Sequence, residues 1–292
     1  MQVFNDIYIN CRYACMFNML YYFKKNPVCL LLNVLPIYLQ NESVSVEYRY
    51  FVNNKTFLKK MGIDEKEIDF SHNLKELIKS IPERDVLIIK NEDFYNESST
   101  FYKRELHHGN NLILSYFQSN DSVEALTQSG VDTYKYEIIP VQKIIDSYNG
   151  YLKEYYFTSL DVKPTVLIYS NRHEVCKNLE KNFYKLLFKN KKSYMKNIEF
   201  LKKYFSTYDD YSDEENLKNI VKIELVKKID FYRCSALELS DTLCLKQIQI
   251  LQKIKLIICR NSINKKEKLR ILFSKFIELE NEYLLLLFKE DI

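Results

Sequence analysis

The chain has 292 residues, an apolar fraction of 47% and a formal net charge of +4, which allows a sizeable core in one or two domains and excludes a disordered polymer. Its lysines come in pairs that read as solvated helix faces, and no basic stripe interleaved with aromatics stands out, so nucleic acid is not an expected partner. Apolar runs such as Cys29–Leu32 and Leu256–Cys259 fall far short of the roughly 18 residues of a membrane span, and the N-terminus lacks a signal-peptide layout, so no membrane association and a cytoplasmic location are expected.

In chain order, Cys11–Phe23 predicts a helix with Ala14, Phe17, Leu20 and Tyr21 on one face. Val44–Val52 alternates as a strand. Ser71 precedes a short helix over Leu74–Ile81, which Pro82 closes. Val86–Lys90 is the compact apolar run of a buried strand. Leu112–Phe117 and Ser122–Thr127 flank the polar stretch Gln118-Ser119-Asn120-Asp121 and predict a hairpin. Tyr134–Ile139 predicts a further strand, Val141–Tyr148 a short helix, and Val166–Tyr169 a last strand or the lead into the next helix.

Every glycine and proline lies at or before Pro164, so the remainder is expected to be long helices, at about 173–189, 195–206, 213–230, 235–260 and 264–288. Ser212-Asp213-Glu214-Glu215 fits a capping box. Leu269, Leu272, Phe276, Leu279, Tyr283 and Leu286 repeat at spacings of three and four, a stripe made for neighbouring helices of the same bundle or for a second copy of the chain. The fold class is therefore α+β, with a first domain at residues 1–170 and a helical domain at 171–292.

The seven cysteines include no Cys-x-x-Cys pair, and nothing beside Cys11 and Cys15 completes a zinc site. Without a secretory signal, an odd count predicts reduced thiols. Cys11 stands at the predicted start of a helix, where free amides and the helix dipole favour a thiolate. The same amides suit an oxyanion, with the Cys11 N–H and the Asn10 side chain as donors. A small buried residue is the plainer reading of any free cysteine.

A thiolate needs a base, and the chain has only His72, His107, His108 and His173. His107 and His108 directly precede a predicted strand, which would hold an imidazole rigidly; a pair of exposed loop histidines is the alternative. If the hairpin turns near Asn120, the chain returns beside them at residues 131–134. That window contains Asp132, the candidate third group, with Gln128 and Thr127 as competing choices. Asp121, in the turn, is too distant.

The run Cys11-Arg-Tyr-Ala14-Cys-Met-Phe-Asn18-Met-Leu20-Tyr-Tyr22 resembles the nucleophile helix of papain-fold acyltransferases of the butirosin biosynthesis protein H type. So do the segments Asp93-Phe94-Tyr95, Tyr102, His107-His108-Gly109 and Leu112–Tyr116, over roughly residues 8–150. The chain departs from that pattern in four places. Asn10 stands where the family has His, and Tyr116-Phe117-Gln118 replaces a Gly-Tyr-Asp turn. One alignment sets Asn110 at the base position, and Thr127 or Gln128 fills the place of the expected aspartate.

The resemblance implies a papain-like domain with the Cys-bearing helix packed on an antiparallel sheet. It also implies acyl transfer from a carrier-protein phosphopantetheine thioester onto Cys11 and then to an amine, as in nonribosomal antibiotic pathways such as that of closthioamide. The partners would be an acyl or peptidyl carrier protein and an amine acceptor, with no cofactor beyond the arm on the carrier. Lys265, Lys266 and Lys268 either dock such an acidic carrier or are ordinary solvated positions. A cysteine peptidase or amidohydrolase would use the same thiol and base, and a non-catalytic pathway scaffold would use neither.

Overall fold

The structure is a computed structural model that describes residues 11–25, 27, 30, 33–40, 44–50, 52–69, 73–97, 99–130, 133–156, 165–172, 191–207, 214–233, 238–259 and 264–287. The fold is mixed α+β. Packing divides the chain into two units, one comprising residues 1–25 and 54–177, the other residues 26–53 and 178–292. The sequence boundary near residue 170 sits close to the last crossover. It misses that residues 26–53 group with the helical half.

In the first unit, helix α1 (Cys11–Tyr22) is followed by α2 (Asn54–Lys60), strand β3 (Ile63–Asp69), α3 (Leu74–Lys79) and β4 (Asp85–Glu92). Then come β5 (His108–Phe117), β6 (Ser122–Gly130), β7 (Thr133–Pro140), α4 (Val141–Tyr151) and β8 (Thr165–Asn171). The six strands form one antiparallel sheet in the order β3-β8-β4-β5-β6-β7. Thus Val166–Tyr169 belongs to a strand, and that strand is interior to the sheet.

Strand β4 is buried on both faces, as its uninterrupted apolar run requires. On one face Leu87, Ile89, Ile113, Val123 and Ala125 pack with Ile78 of α3 and Val141, Ile144 and Tyr148 of α4. Alternation turns Val86, Ile88, Leu112 and Leu114 the other way, and all four are buried. Helix α1 lies against β5. From Tyr13 to Leu20 it is buried on every side, the signature of a helix enclosed by a core and not lying on its surface.

Helix α3 is capped by Asn73, whose Oδ1 accepts the Glu76 N–H at 3.2 Å, and it ends two residues before the expected Ile81. Ser71 lies outside the described residues. The hairpin between β5 and β6 turns through Asp121 in the left-handed region at φ 48°, a conformation that Asp tolerates better than most residues.

The second unit contains the hairpin β1 (Val34–Gln40) and β2 (Val44–Tyr50), with helices α5 (Lys191–Thr207), α6 (Glu214–Arg233), α7 (Glu238–Cys259) and α8 (Lys265–Leu287). The expected helix at 173–189 and the capping residue Ser212 lie outside the described residues. On α8, Leu269, Phe276 and Tyr283 are buried in one core with Phe205, Leu217, Ile220 and Leu251, and Leu272, Leu279 and Leu286 pack at its edge. The repeating stripe is thus consumed within the bundle.

This core encloses charge. Lys228, fully buried, pairs with Glu280 and lies 4.2 Å from the centre of the Tyr283 ring. Lys227 pairs with Glu224 at 2.8 Å, and Glu224 accepts the Tyr38 hydroxyl at 2.5 Å. The two lysines hold the Glu280 carboxyl below its ordinary value despite burial, which alone would raise it. No helix among the described residues is long and apolar enough to cross a membrane.

Candidate active site

Strands β4 and β5 form an antiparallel ladder in which Glu92 faces His108. The segment joining them is closed by the Asp93 N–H donating to the His107 carbonyl at 2.8 Å. An acid that ends one strand is thereby set beside a histidine that precedes the next. His107 Nδ1 lies 2.8 Å from Asp93 Oδ2, and the Asp93 carboxylate is wholly buried while the imidazole keeps 27% of its surface in solvent.

Each partner is held from a second direction. The Asn91 amide donates to Asp93 Oδ1 at 2.5 Å, across the end of β4 where the chain turns into a short 3-10 segment at Asp93–Tyr95. The Phe101 ring stacks on the imidazole at 4.4 Å between centres and 19° between planes. Glu92 Oε1 accepts the N–H of His107 at 2.6 Å and that of Phe94 at 3.1 Å. Backbone, ring plane and one ring nitrogen of His107 are therefore all fixed.

Burial drives the Asp93 carboxyl up to about 6, against the lowering pull of His107 and Asn91, with the neighbouring Glu92 adding to the rise. Above that pH the carboxylate accepts the Nδ1 proton and leaves the Nε2 lone pair free to take a proton from a substrate or thiol.

A second polar group occupies the β5–β6 step. Gln128, buried, accepts the Asn110 N–H on Oε1 at 3.2 Å, and its own N–H donates to Asn111 Oδ1 at 3.3 Å. Gly109 leaves room for these groups: a Cβ there would come within 2.0 Å of Gln128 Oε1 and 3.2 Å of Asn91 Oδ1, so any larger residue displaces the Gln128 side chain. Cys15 of α1 turns its thiol to the Asn110 carbonyl at 3.7 Å, fixing that helix to the strand that starts at His108.

The residues named from sequence sort as follows. Helix α1 begins with Cys11; Asn10 and Asp132 lie outside the described residues, as do His72 and His173. His107 has a carboxylate partner, whereas His108 is exposed at the first position of β5. Gln128 supports the backbone at Asn110, and Thr127 donates to Glu137. Lys265, read as a docking or solvated lysine, is buried, bonding Glu214 at 3.1 Å and the Ile258 carbonyl at 2.9 Å near the end of α7.

Sequence reading names Asp93 only within the segment Asp93-Phe94-Tyr95 and does not assign it as a partner of the histidine. Its signal was the polar run Asn91-Glu92-Asp93 directly after a buried apolar strand, a place where polar side chains must find partners. Among the described residues no three or more His, Cys, Asp and Glu side chains converge as a metal site requires. No protein-family model matches the chain, and comparison with curated proteins finds no match.

Proposed function

We propose that the chain is a papain-like thiol acyltransferase in which Cys11 is the nucleophile, His107 the base and Asp93 the group that orients it. The observation that carries this reading is the buried Asp93 carboxylate 2.8 Å from His107 Nδ1, an arrangement that prepares the other ring nitrogen for proton transfer. Two further features support it. Cys11 opens a helix that packs on β5, and the imidazole sits immediately before that strand. Cys11 and Cys15 are also four residues apart, one turn along the same helical face.

In this mechanism His107 Nε2 takes the Cys11 proton and the thiolate adds to the carbonyl of a carrier-bound thioester. The tetrahedral intermediate collapses by expelling the carrier thiol, which recovers the proton from His107, and an acyl group remains on Cys11. An amine then attacks that thioester while His107 accepts its proton, and collapse releases the amide and regenerates the thiol. Asn10 and the Cys11 N–H are the proposed oxyanion donors. The acyl group is proposed to come from an acyl or peptidyl carrier protein in a nonribosomal antibiotic pathway of the cytoplasm.

The test is intact-mass analysis after mixing the protein with an acyl-carrier-protein thioester. The expected result is a mass increase equal to the acyl group, absent from Cys11→Ala, and discharged by an added amine faster than by water. Cleavage of a peptide without any carrier would place the same thiol in a peptidase or amidohydrolase. No adduct and no cleavage, with Cys11 no more reactive than Cys259, would leave a scaffold.

A further inference from the structure

Beyond the pair Glu92 and His108, the ladder between β4 and β5 continues to Asp93 and His107, where an antiparallel register has each N–H meet the other carbonyl. Only half of that exchange is made. The Asp93 N–H donates to the His107 carbonyl at 2.8 Å, but the Asp93 carbonyl is taken by the Asn96 N–H at 3.0 Å as the chain enters the 3-10 segment. The His107 N–H thereby loses its ladder acceptor, and Glu92 Oε1 supplies one at 2.6 Å.

Glu92 is wholly buried, and capping the 3-10 segment does not account for it. A cap needs the Phe94 N–H alone, at 3.1 Å, whereas the bond to His107 spans 15 residues of chain. Neither bond needs a charge. A glutamine oxygen would accept both N–H groups without the cost of burying a carboxylate. Among the described residues no lysine or arginine pairs with Glu92, and its Oε2 is buried without a hydrogen bond. What the carboxylate adds over an amide is negative charge, and the group it clamps, His107, is one that can turn positive.

We propose that Glu92 is a positioning residue of the site, holding His107 against Asp93 through the His107 backbone and acting on the pair through its charge. The inference rests on the reading of His107 as the base. Two consecutive residues then hold one histidine at three points: Glu92 at its N–H, and Asp93 at its carbonyl and at Nδ1. Helix α4 steadies the clamp, since the Ser147 hydroxyl donates to the Glu92 carbonyl at 3.0 Å. The titratable groups around the pair are Glu92 on β4 and His108 on β5, whose ring lies 6.5 Å from that of His107; α4 contributes the uncharged Ser147. Glu92 adds to the rise that brings the Asp93 carboxyl to about 6, so its charge also helps to place the pH at which the pair becomes a base.

Two substitutions separate the bonds from the charge. Glu92→Gln keeps an oxygen for both N–H groups and removes the charge, and Glu92→Ala removes both. Nitrogen NMR of the His107 ring reads its tautomer, and carbon NMR of the Asp93 carboxyl reads its titration; neither needs turnover. Glu92→Gln should keep the Nδ1–H tautomer at neutral pH while Asp93 titrates lower than in the wild type. Glu92→Ala should show mixed tautomers, and in acyl transfer its kcat should fall at least about tenfold with KM unchanged, the worth of one charge-assisted hydrogen bond. A folded Glu92→Ala protein with an intact tautomer or an undiminished kcat, or a Glu92→Gln protein whose Asp93 titrates as in the wild type, would overturn the proposal. Should Glu92→Ala not fold, the Asp93 titration in Glu92→Gln decides alone. Failure of the wild type to form an acyl adduct would count against the thiol reading, whereas the two NMR readouts judge Glu92 by itself.

Discussion

Replacing Asp93 with asparagine separates the electrostatics of the site from its shape. The carboxyl is raised from 3.8 to about 6 by burial, and each pKa unit corresponds to about 1.4 kcal/mol, so holding the ionised form in place costs about 3 kcal/mol at neutral pH. The folded state carries more protons than the unfolded one between these two values. The stability contribution is therefore complete below about pH 4 and is lost as the pH rises through 6. An asparagine side chain cannot ionise and escapes this dependence.

The packing need not change in the Asp93→Asn variant. Asn91 Oδ1 is buried without a hydrogen-bond partner; turning that amide over would let it accept from the introduced side-chain amide, whose own oxygen still accepts from His107. Chemical denaturation followed by circular dichroism, at about pH 4.5 and about pH 7.5, should show the variant gaining about 2 kcal/mol on the wild type between the two conditions. Acyl transfer should fall by about 10³- to 10⁴-fold, because the carboxylate no longer fixes the productive tautomer. A stability difference independent of pH would refute the buried-carboxylate argument. Activity within a few-fold of wild type would refute its role as orienting group.

Three other outcomes are expected. His107→Ala should slow acyl transfer by at least about 10²-fold while His108→Ala stays near wild type in the same assay, since the buried Asp93 carboxylate holds the His107 ring. Gly109→Ala should lower stability by about 1–3 kcal/mol in urea titration, because the new methyl group displaces Gln128 from the Asn110 N–H. In the helical unit, Lys228→Met should cost about 3–5 kcal/mol by leaving the Glu280 charge under-compensated in the core, and adding Glu280→Leu should recover part of the loss in thermal melts.

Local patterns made much of this fold readable. The apolar run at Val86–Lys90, the turn at Gln118–Asp121 and the stripe on α8 each act within a few residues and each is seen as an element of the expected type, and the described elements beyond β8 are helices, as the lack of Gly and Pro there predicts. Strand β3 escaped because it reads Ile-Asp-Glu-Lys-Glu-Ile-Asp and lies at the sheet edge, where charge protects against pairing with other chains and erases the strand signal. The insertion of β8 between β3 and β4, and the grouping of residues 26–53 with the helices, depend on contacts between residues 79 or more positions apart.

The site shows the same division. The place before a strand marks His107 and His108 together as candidate bases and does not choose between them. The visible turn at Asn120 points to Asp132 as the partner, and Asp132 lies outside the described residues. The carboxylate seen on His107 is Asp93, from the end of the preceding strand. The length of the connection from Asp93 to His107 gave no hint that its ends meet, although the ladder between β4 and β5 brings them within one hydrogen bond. Gln128, weighed as a triad member, instead secures the strand backbone two residues beyond His108.

Site-resolved alkylation tests the pairing of Cys11 with His107 without any substrate. Under limiting iodoacetamide, followed by peptide mass mapping, Cys11 should be modified at least about tenfold faster than the exposed Cys259, with the buried Cys15 and Cys244 untouched. In His107→Ala that advantage should vanish. A Cys11 rate equal to that of Cys259 in wild type, or an advantage undiminished in a folded His107→Ala protein, would contradict the account.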